Sequence, residues 1–261
     1  MTLEAGVLAL LAAVALFAGD PPGAPGKAPG PDARLCRVLN DWHRRSAARS
    51  RLEIRCTRLD RKPFWGDESY SGRVVLLPDG QALVEFVKHD AKGKPIDTER
   101  CIWTTGAFHR ILPERKDHLV WPIGARDRGR LPALLALPFL WHVDVERLTS
   151  RYSVALVKEE SDAWILSFVP LTEAGRTRFS RAYLQLEKET FLPRRYLWIN
   201  PDGKSTKDFR LTETRPDPPR EGRWEIPSEN GWNVTKLAAA SPGEAVLTSW
   251  LAPFLTPDLL P

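Results

Sequence analysis

From Leu52 onward the apolar residues abandon a helical period and recur at every second position, in short runs separated by turn residues. That change of period constrains the fold more than any other feature of the chain. In "LEIRCT" (52–57), Leu52, Ile54 and Cys56 alternate with Glu53, Arg55 and Thr57, which predicts a strand with one buried face. "GRVVLLPDGQALVEFVKH" predicts a hairpin turned at Pro78-Asp79-Gly80. "TERCIWTTGAFHRILPERKDHLVWPI" repeats the device twice more. After a break at Arg130 the strands resume in "YSVALVK", "AWILSFVP", "RFSRAYLQLEK", "LPRRYLWIN" and "STKDFRLTETR", with turns at Glu189-Thr190 and Asn200-Pro201-Asp202-Gly203. "GRWEIPSENGWNV" reads as a closing strand and turn, giving about ten or eleven strands in all.

Strands lie before and after one helical insertion, without strand-helix-strand alternation, so the sheet should be antiparallel and built from hairpins. So many strands do not stay flat; curling into a barrel or half-barrel is the usual solution. The expected class is mainly β (α+β): a curved antiparallel half-open barrel with helices covering the concave face.

Two segments supply those helices. Asp32 can cap a helix running to about Ser50, because Leu35, Val38, Leu39 and Trp42 recur at i, i+3, i+4 and i+7 while the other face is rich in Arg. "RLPALLALPFLWHVDVERLTSRY" is too long and too apolar for a strand. Pro132 and Pro138 predict short broken helices there, and Asp144 can cap a helix over Val145 to Arg151.

The ends are of other kinds. An apolar run from Ala5 to Ala18 is short for a membrane span and right for the hydrophobic region of a signal peptide over residues 1–18. Glu4 stands where such signals carry a base, so an uncleaved anchor or a wrongly chosen start is the alternative. Residues 19–31, "GDPPGAPGKAPGP", form a Pro/Gly linker, and the folded domain is expected over 32–234. The tail, 235–261, carries Val246, Leu247, Trp250, Leu251 and Phe254 as one short amphipathic series before Pro257, suited to docking on the barrel mouth or on a partner.

Charge excludes more than it assigns. The formal charge is +5, and removing residues 1–18 takes away one acid and no base, which raises it to +6. Arg and Lys are nevertheless interleaved with Asp and Glu, as in "RCTRLDRKPFWGDE", instead of clustering with stacking aromatics as a nucleic-acid surface would. The five histidines, His43, His89, His109, His118 and His142, show no i, i+4 or HExxH spacing, so no metal or cofactor is expected. No GxSxG or Walker loop occurs, and the paired glutamates fall at turns, so catalysis is the least favoured class. "NVT" at 233–235 fits a glycosylation acceptor, which matters only in a cell that glycosylates exported chains. Of the 3 cysteines, Cys56 and Cys101 both fall on predicted strands of an exported chain, where a bridge is chemically permitted; Cys36 is then left over.

The order of these features resembles the bacterial lipoprotein carrier family LolA. The matching elements are the N-terminal amphipathic helix, the hairpin strand "TTGAFHRILP", the Pro-containing apolar helix "LPFLW", the pair "YSVALVKEESDAWILSFVP", the meander "AYLQLEKETFLPRRYLWINPDGKSTKDFRLTE" and the closing "WEIPSENGWNV". The resemblance covers about residues 34 to 234. It implies a periplasmic, non-enzymatic monomer whose half-barrel holds the acyl chains of lipoproteins or related lipids, exchanged with a membrane-bound donor or receptor protein. The same fold in the receptor LolB and in an envelope-stress sensor domain implies the alternative of a sensor or interaction module with a self-filled core. One departure stands out: where the carrier has a basic residue that latches its lid, this chain reads Asp79-Gly80.

A hollow for acyl chains needs bulky apolar sets on one face of the strands, since each buried CH₂ gains roughly 0.8 kcal/mol. The candidate ligand wall is Val84 and Phe86, Trp103 and Phe108, then Trp164, Leu166 and Phe168, with Tyr183, Tyr196 and Trp198 as aromatic walls and Leu134, Leu137 and Phe139 from the apolar helix. The competing reading is an ordinary core packed on the two helices.

Overall fold

A computed structural model describes residues 32–77, 81–123, 143–216 and 224–236. The expected helix forms as α1 (Ala33–Ala47), with Leu35, Val38, Leu39, Trp42 and Ser46 buried on one side and Arg44 and Arg45 in the last turn, where cations suit the helix dipole. The strands are β1 (Leu52–Lys62), β2 (Gly66–Leu76), β3 (Ala82–His89), β4 (Pro95–Trp103), β5 (Ala107–Leu112), β6 (Asp117–Pro122), β7 (Tyr152–Glu159), β8 (Ala163–Pro170), β9 (Arg181–Glu187), β10 (Pro193–Ile199), β11 (Thr206–Pro216) and β12 (Asn233–Lys236). Between β6 and β7 lies α2 (Val145–Arg151), capped as expected by Asp144, whose side chain accepts from the Arg147 amide at 3.0 Å. A single helical turn that the sequence did not announce, α3 (Glu173–Arg176), joins β8 to β9.

All 12 strands join one sheet in the order β12-β6-β5-β4-β3-β2-β1-β11-β10-β9-β8-β7. It is curved and does not close, because β7 and β12 are both edges. The half-open barrel of hairpins is therefore present, with the first strand of the meander paired to β11 from Leu52↔Pro216 to Arg61↔Thr206. The expected closing strand needs correcting. Trp224 to Ser228 lies outside any strand, and β12 pairs with β6 in parallel, Asn233↔Asp117 through Lys236↔Val120, so the sheet is not antiparallel throughout.

Turn chemistry explains the hairpins. Asp90 accepts from the amides of Lys92 and Lys94 at 2.8 Å ahead of Gly93, and Asp202 accepts from those of Lys204 and Ser205 at 2.9 Å beside Gly203. Both glycines have positive φ, 79° and 67°, which an L side chain adopts only with strain. Gly72 serves another purpose: a Cβ there would lie 2.4 Å from Phe86 Cε1 and 2.8 Å from Cys56 Sγ, so the Phe86 ring covers the space that a side chain would fill.

Apolar residues fill both faces unequally. One large cluster takes the buried side of α1, Val143, Leu148 of α2 and the inward residues of the sheet from β1 to β11. A smaller cluster on the opposite face holds Val75, Leu83, Ile102 and Ile111, packed against Trp224 and Trp232 of the segment that leads into β12. No disulfide joins Cys56 to Cys101. Register explains why: β2 and β3 lie between β1 and β4, which separates the two by three strand spacings, about 14 Å along the sheet.

Candidate functional site

The inner face is set by the period-two pattern. Even-numbered positions on β8, β9 and β10 point inward, so Leu166, Phe168, Ala182, Leu184, Tyr196 and Trp198 are all buried. Two aromatic strings run across it. On one side Trp103 of β4 meets Phe108 of β5 at 4.5 Å between ring centroids, and Phe108 meets Trp121 of β6 at 5.2 Å. On the other, Phe86 of β3 reaches Phe209 of β11 at 6.2 Å, and Phe209 reaches Tyr196 of β10 at 6.1 Å. Trp198, 5.7 Å from Tyr196, continues through Phe179 at 5.2 Å to Tyr152, which stacks on Phe179 at 5.8 Å and stands edge-on to Phe168 at 6.4 Å.

The structure thus brings Val84, Phe86, Trp103, Phe108, Leu166, Phe168, Tyr196 and Trp198 to one apolar face, all buried. Trp164 packs at its margin, half-buried, 4.8 Å from Phe191 and with Lys188 Nζ 5.9 Å above its ring. Tyr183 does not join them. It sits between the inward Ala182 and Leu184, so its side chain lies on the opposite face, where its hydroxyl accepts from Arg181 at 3.3 Å. Leu134, Leu137 and Phe139, with the Pro78-Asp79-Gly80 turn, residues 1–31 and the tail beyond Lys236, lie outside the described residues.

α1 covers part of this face. Its apolar stripe enters the main cluster, while polar contacts fix its rim: Arg34 pairs with Glu159, Arg45 donates to the Glu189 carbonyl at 2.8 Å, and Arg49, just beyond the helix, donates to that of Thr190 at 2.6 Å. At its C-terminal end the Val143 amide donates to Ser46 Oγ at 3.1 Å, and His43 Nδ1 meets the Val143 carbonyl. The same helix therefore holds both the β9–β10 turn and the chain that enters α2.

One end of the inner face carries charge. The alternation that buries Leu52, Ile54 and Cys56 continues to Arg58 and Asp60, 4% and 2% exposed. The guanidinium donates twice to the carboxylate, at 2.6 and 2.5 Å, and lies 4.1 Å above the Tyr70 ring, 5.4 Å from Phe86 and 5.8 Å from Phe209. Beside it, burial works against the charge of Glu68, yet hydrogen bonds from Lys62, Lys88 and Tyr70 bring its carboxyl down to about 2. Burial, with Arg58 adding repulsion, holds the Lys207 ammonium well below the usual lysine range. Burial pushes the Cys56 thiol up to about 12. The sequence carries a signal for this layer that its charges mask: Arg58 and Asp60 continue an apolar register on β1 without a change of phase.

A second polar group lies on the outer face. His109 Nδ1 and His118 Nε2 are 3.0 Å apart, across from Ile102 and Ile111. Burial lowers both imidazoles, His109 to about 4 with help from His118. Among the described residues no group of three or more His, Cys, Asp or Glu could hold a metal ion.

No protein-family model and no curated protein matches the sequence. Solved structures do. The chain is similar in fold to a conserved protein from Thermus thermophilus at 13% identity, with 78% of this chain and 99% of that one covered and a TM-score of 0.48. It is similar to a LolA superfamily protein from Nitrosomonas europaea at 10% identity, over 69% of this chain and 92% of that one, TM-score 0.33. MucB is similar at 18% identity, over 78% of this chain and 63% of MucB, TM-score 0.41. These are likenesses in the course of the backbone, at identities that leave the function to be argued from the residues.

Proposed function

We propose that the chain is an exported, non-enzymatic binding protein that holds acyl chains, of lipoproteins or of related lipids, against the aromatic inner face of its open barrel. The observation that carries this reading is the joint occurrence of a continuous apolar face and an unclosed sheet. Phe86, Trp103, Phe108, Phe168, Tyr196 and Trp198 line one side, while β7 and β12 remain edges. An apolar wall under a helix held at its rim by polar contacts can exchange helix side chains for acyl chains of comparable hydrophobicity. Leu35, Val38, Leu39 and Trp42 would then occupy the face in the empty state and leave it in the loaded one.

The second reading is an interaction module whose hollow is filled by its own side chains. Trp42 at 1% exposure and Leu166 and Phe168 at 0% favour it, because those side chains already complete a core. Native mass spectrometry of the protein recovered gently from the exported fraction of its own cell separates the two. Acylated material that co-purifies and leaves with detergent supports the first. A bare chain that also takes up no added acyl peptide rejects it and leaves the interaction module.

A further inference from the structure

The exterior carries an anomaly that the inner face does not explain. The β1–β2 hairpin ends in Pro63-Phe64-Trp65, and its two aromatics are 83% and 77% exposed, the most exposed large apolar side chains among the described residues. Neighbouring aromatic side chains left this far in water at a hairpin tip cost solubility and need a reason. The prong is also well built. β1 and β2 pair along their whole length, from Leu52↔Leu76 to Lys62↔Gly66, and the Trp65 amide donates to the Lys62 carbonyl at 3.3 Å, so the backbone at the tip bonds within itself. β2 pairs with β3 only from Ser69, so on that side the hairpin continues alone through Gly66 to Glu68.

The surroundings select a partner. At the same end of the sheet lie the β3–β4 turn, with exposed Lys92 and Lys94 and with Ile96 51% exposed, and the β10–β11 turn, with exposed Lys204. The carboxylates of those turns bend back onto their own backbone: Asp90 accepts from the Lys92 and Lys94 amides and Asp202 from the Lys204 and Ser205 amides. Glu68 is similarly taken up by Lys62, Lys88 and Tyr70. What faces outward is a pair of large aromatics with Lys92, Lys94 and Lys204 exposed on the neighbouring turns, while Asp67, also exposed beside the tip, pairs with Arg61 at 3.9 Å. Trp and Phe with basic neighbours match the interface of an anionic bilayer, where the headgroup region can still hydrogen-bond the outer edge of the hairpin.

We propose that the Phe64-Trp65 tip docks this protein onto an anionic lipid surface, with Lys92, Lys94 and Lys204 against the headgroups. The proposal stands whether or not the inner face takes acyl chains. The test uses the full chain and vesicles of phosphatidylethanolamine with phosphatidylglycerol. Immersion is read from an environment-sensitive fluorophore on Phe64→Cys in a Cys36→Ser background, since Cys56 and Cys101 are buried. Partition is compared between wild type and Phe64→Ser/Trp65→Ser, with the neutral Trp65→Gln as a second variant should the double one fold poorly. The expected result is a blue-shifted label on vesicle addition and a loss in partition of about tenfold per aromatic removed. An aqueous label emission on vesicle-bound protein, a tip variant that binds as tightly as wild type, or a tip that shifts only on a protein partner would each overturn the proposal.

Discussion

Replacing Asp60 with alanine removes the carboxylate that accepts both charged hydrogen bonds from Arg58 at the end of the inner face. Both side chains are nearly inaccessible, 4% and 3% exposed, so water cannot take over the lost contacts without opening the sheet. The guanidinium stays fixed among Tyr70, Phe86 and Phe209 and loses the anion that also offsets its repulsion with Lys207. Breaking a buried pair from one side costs about 3–5 kcal/mol. For a domain of this size that lowers the melting temperature by about 6–20 °C. Replacing both partners, Arg58→Met with Asp60→Leu, buries neither charge of the pair and should restore most of the stability, because apolar substitutes for a buried pair are often neutral or better. The assay is urea unfolding of wild type and of both variants, followed by tryptophan fluorescence. An Asp60→Ala chain within about 1 kcal/mol of wild type, or a double variant less stable than the single one, would refute the reading of this pair as a buried, mutually neutralised contact at one end of the inner face.

Further expectations concern other parts of the fold. Trp42→Ala, at the centre of the buried side of α1, should cost about 3–5 kcal/mol in the same unfolding assay. Gly72→Ala should destabilise by about 1–3 kcal/mol, because its methyl meets the Phe86 ring, and Phe86→Leu in the same chain should recover part of the loss. The His109 and His118 imidazoles are held below the ordinary value of 6.5, His109 at about 4, so the unfolded chain takes up protons first. Their contribution is complete above about pH 6.5 and is lost as the pH falls towards 4, and His109→Gln should flatten the urea midpoint across that window. Cys56, with its thiol near 12 and 4% exposed, should resist iodoacetamide in the folded protein at pH 8 while Cys36 reacts; mass spectrometry of the alkylated chain checks this.

Most of the architecture was legible because strand and helix carry different periods. The α1 stripe, the Asp144 cap and the hairpin closed by Asp202-Gly203 follow from local chemistry that sequence displays directly. The parallel seating of β12 did not follow. A four-residue strand with one partly buried position has almost no pattern of its own, and its place is set by the distant β6 and by Trp224 and Trp232 on the outer cluster. On the inner face, alternation placed Phe86, Leu166, Phe168 and Trp198, and the same rule would have rejected Tyr183 had its phase with Leu184 been followed. Arg58 and Asp60 were missed because charge argues for solvent until a partner is known, and here the partner lies two residues away on the same face of one strand.

The pairing of β1 with β11 bears on how such a chain is made. The register joins Leu52 to Pro216 and Arg61 to Thr206, so a strand near the beginning of the domain waits for one that emerges some 150 residues later. Until then one edge of β1 presents open backbone groups, with Leu52 and Ile54 unburied on that side, a combination that invites pairing with other chains. Contacts this remote in sequence slow the search for the native sheet. A nascent chain cut before Thr206 would keep the β1–β6 meander and lack the strand that ties it to β10, leaving two half-sheets with an unfilled seam between them.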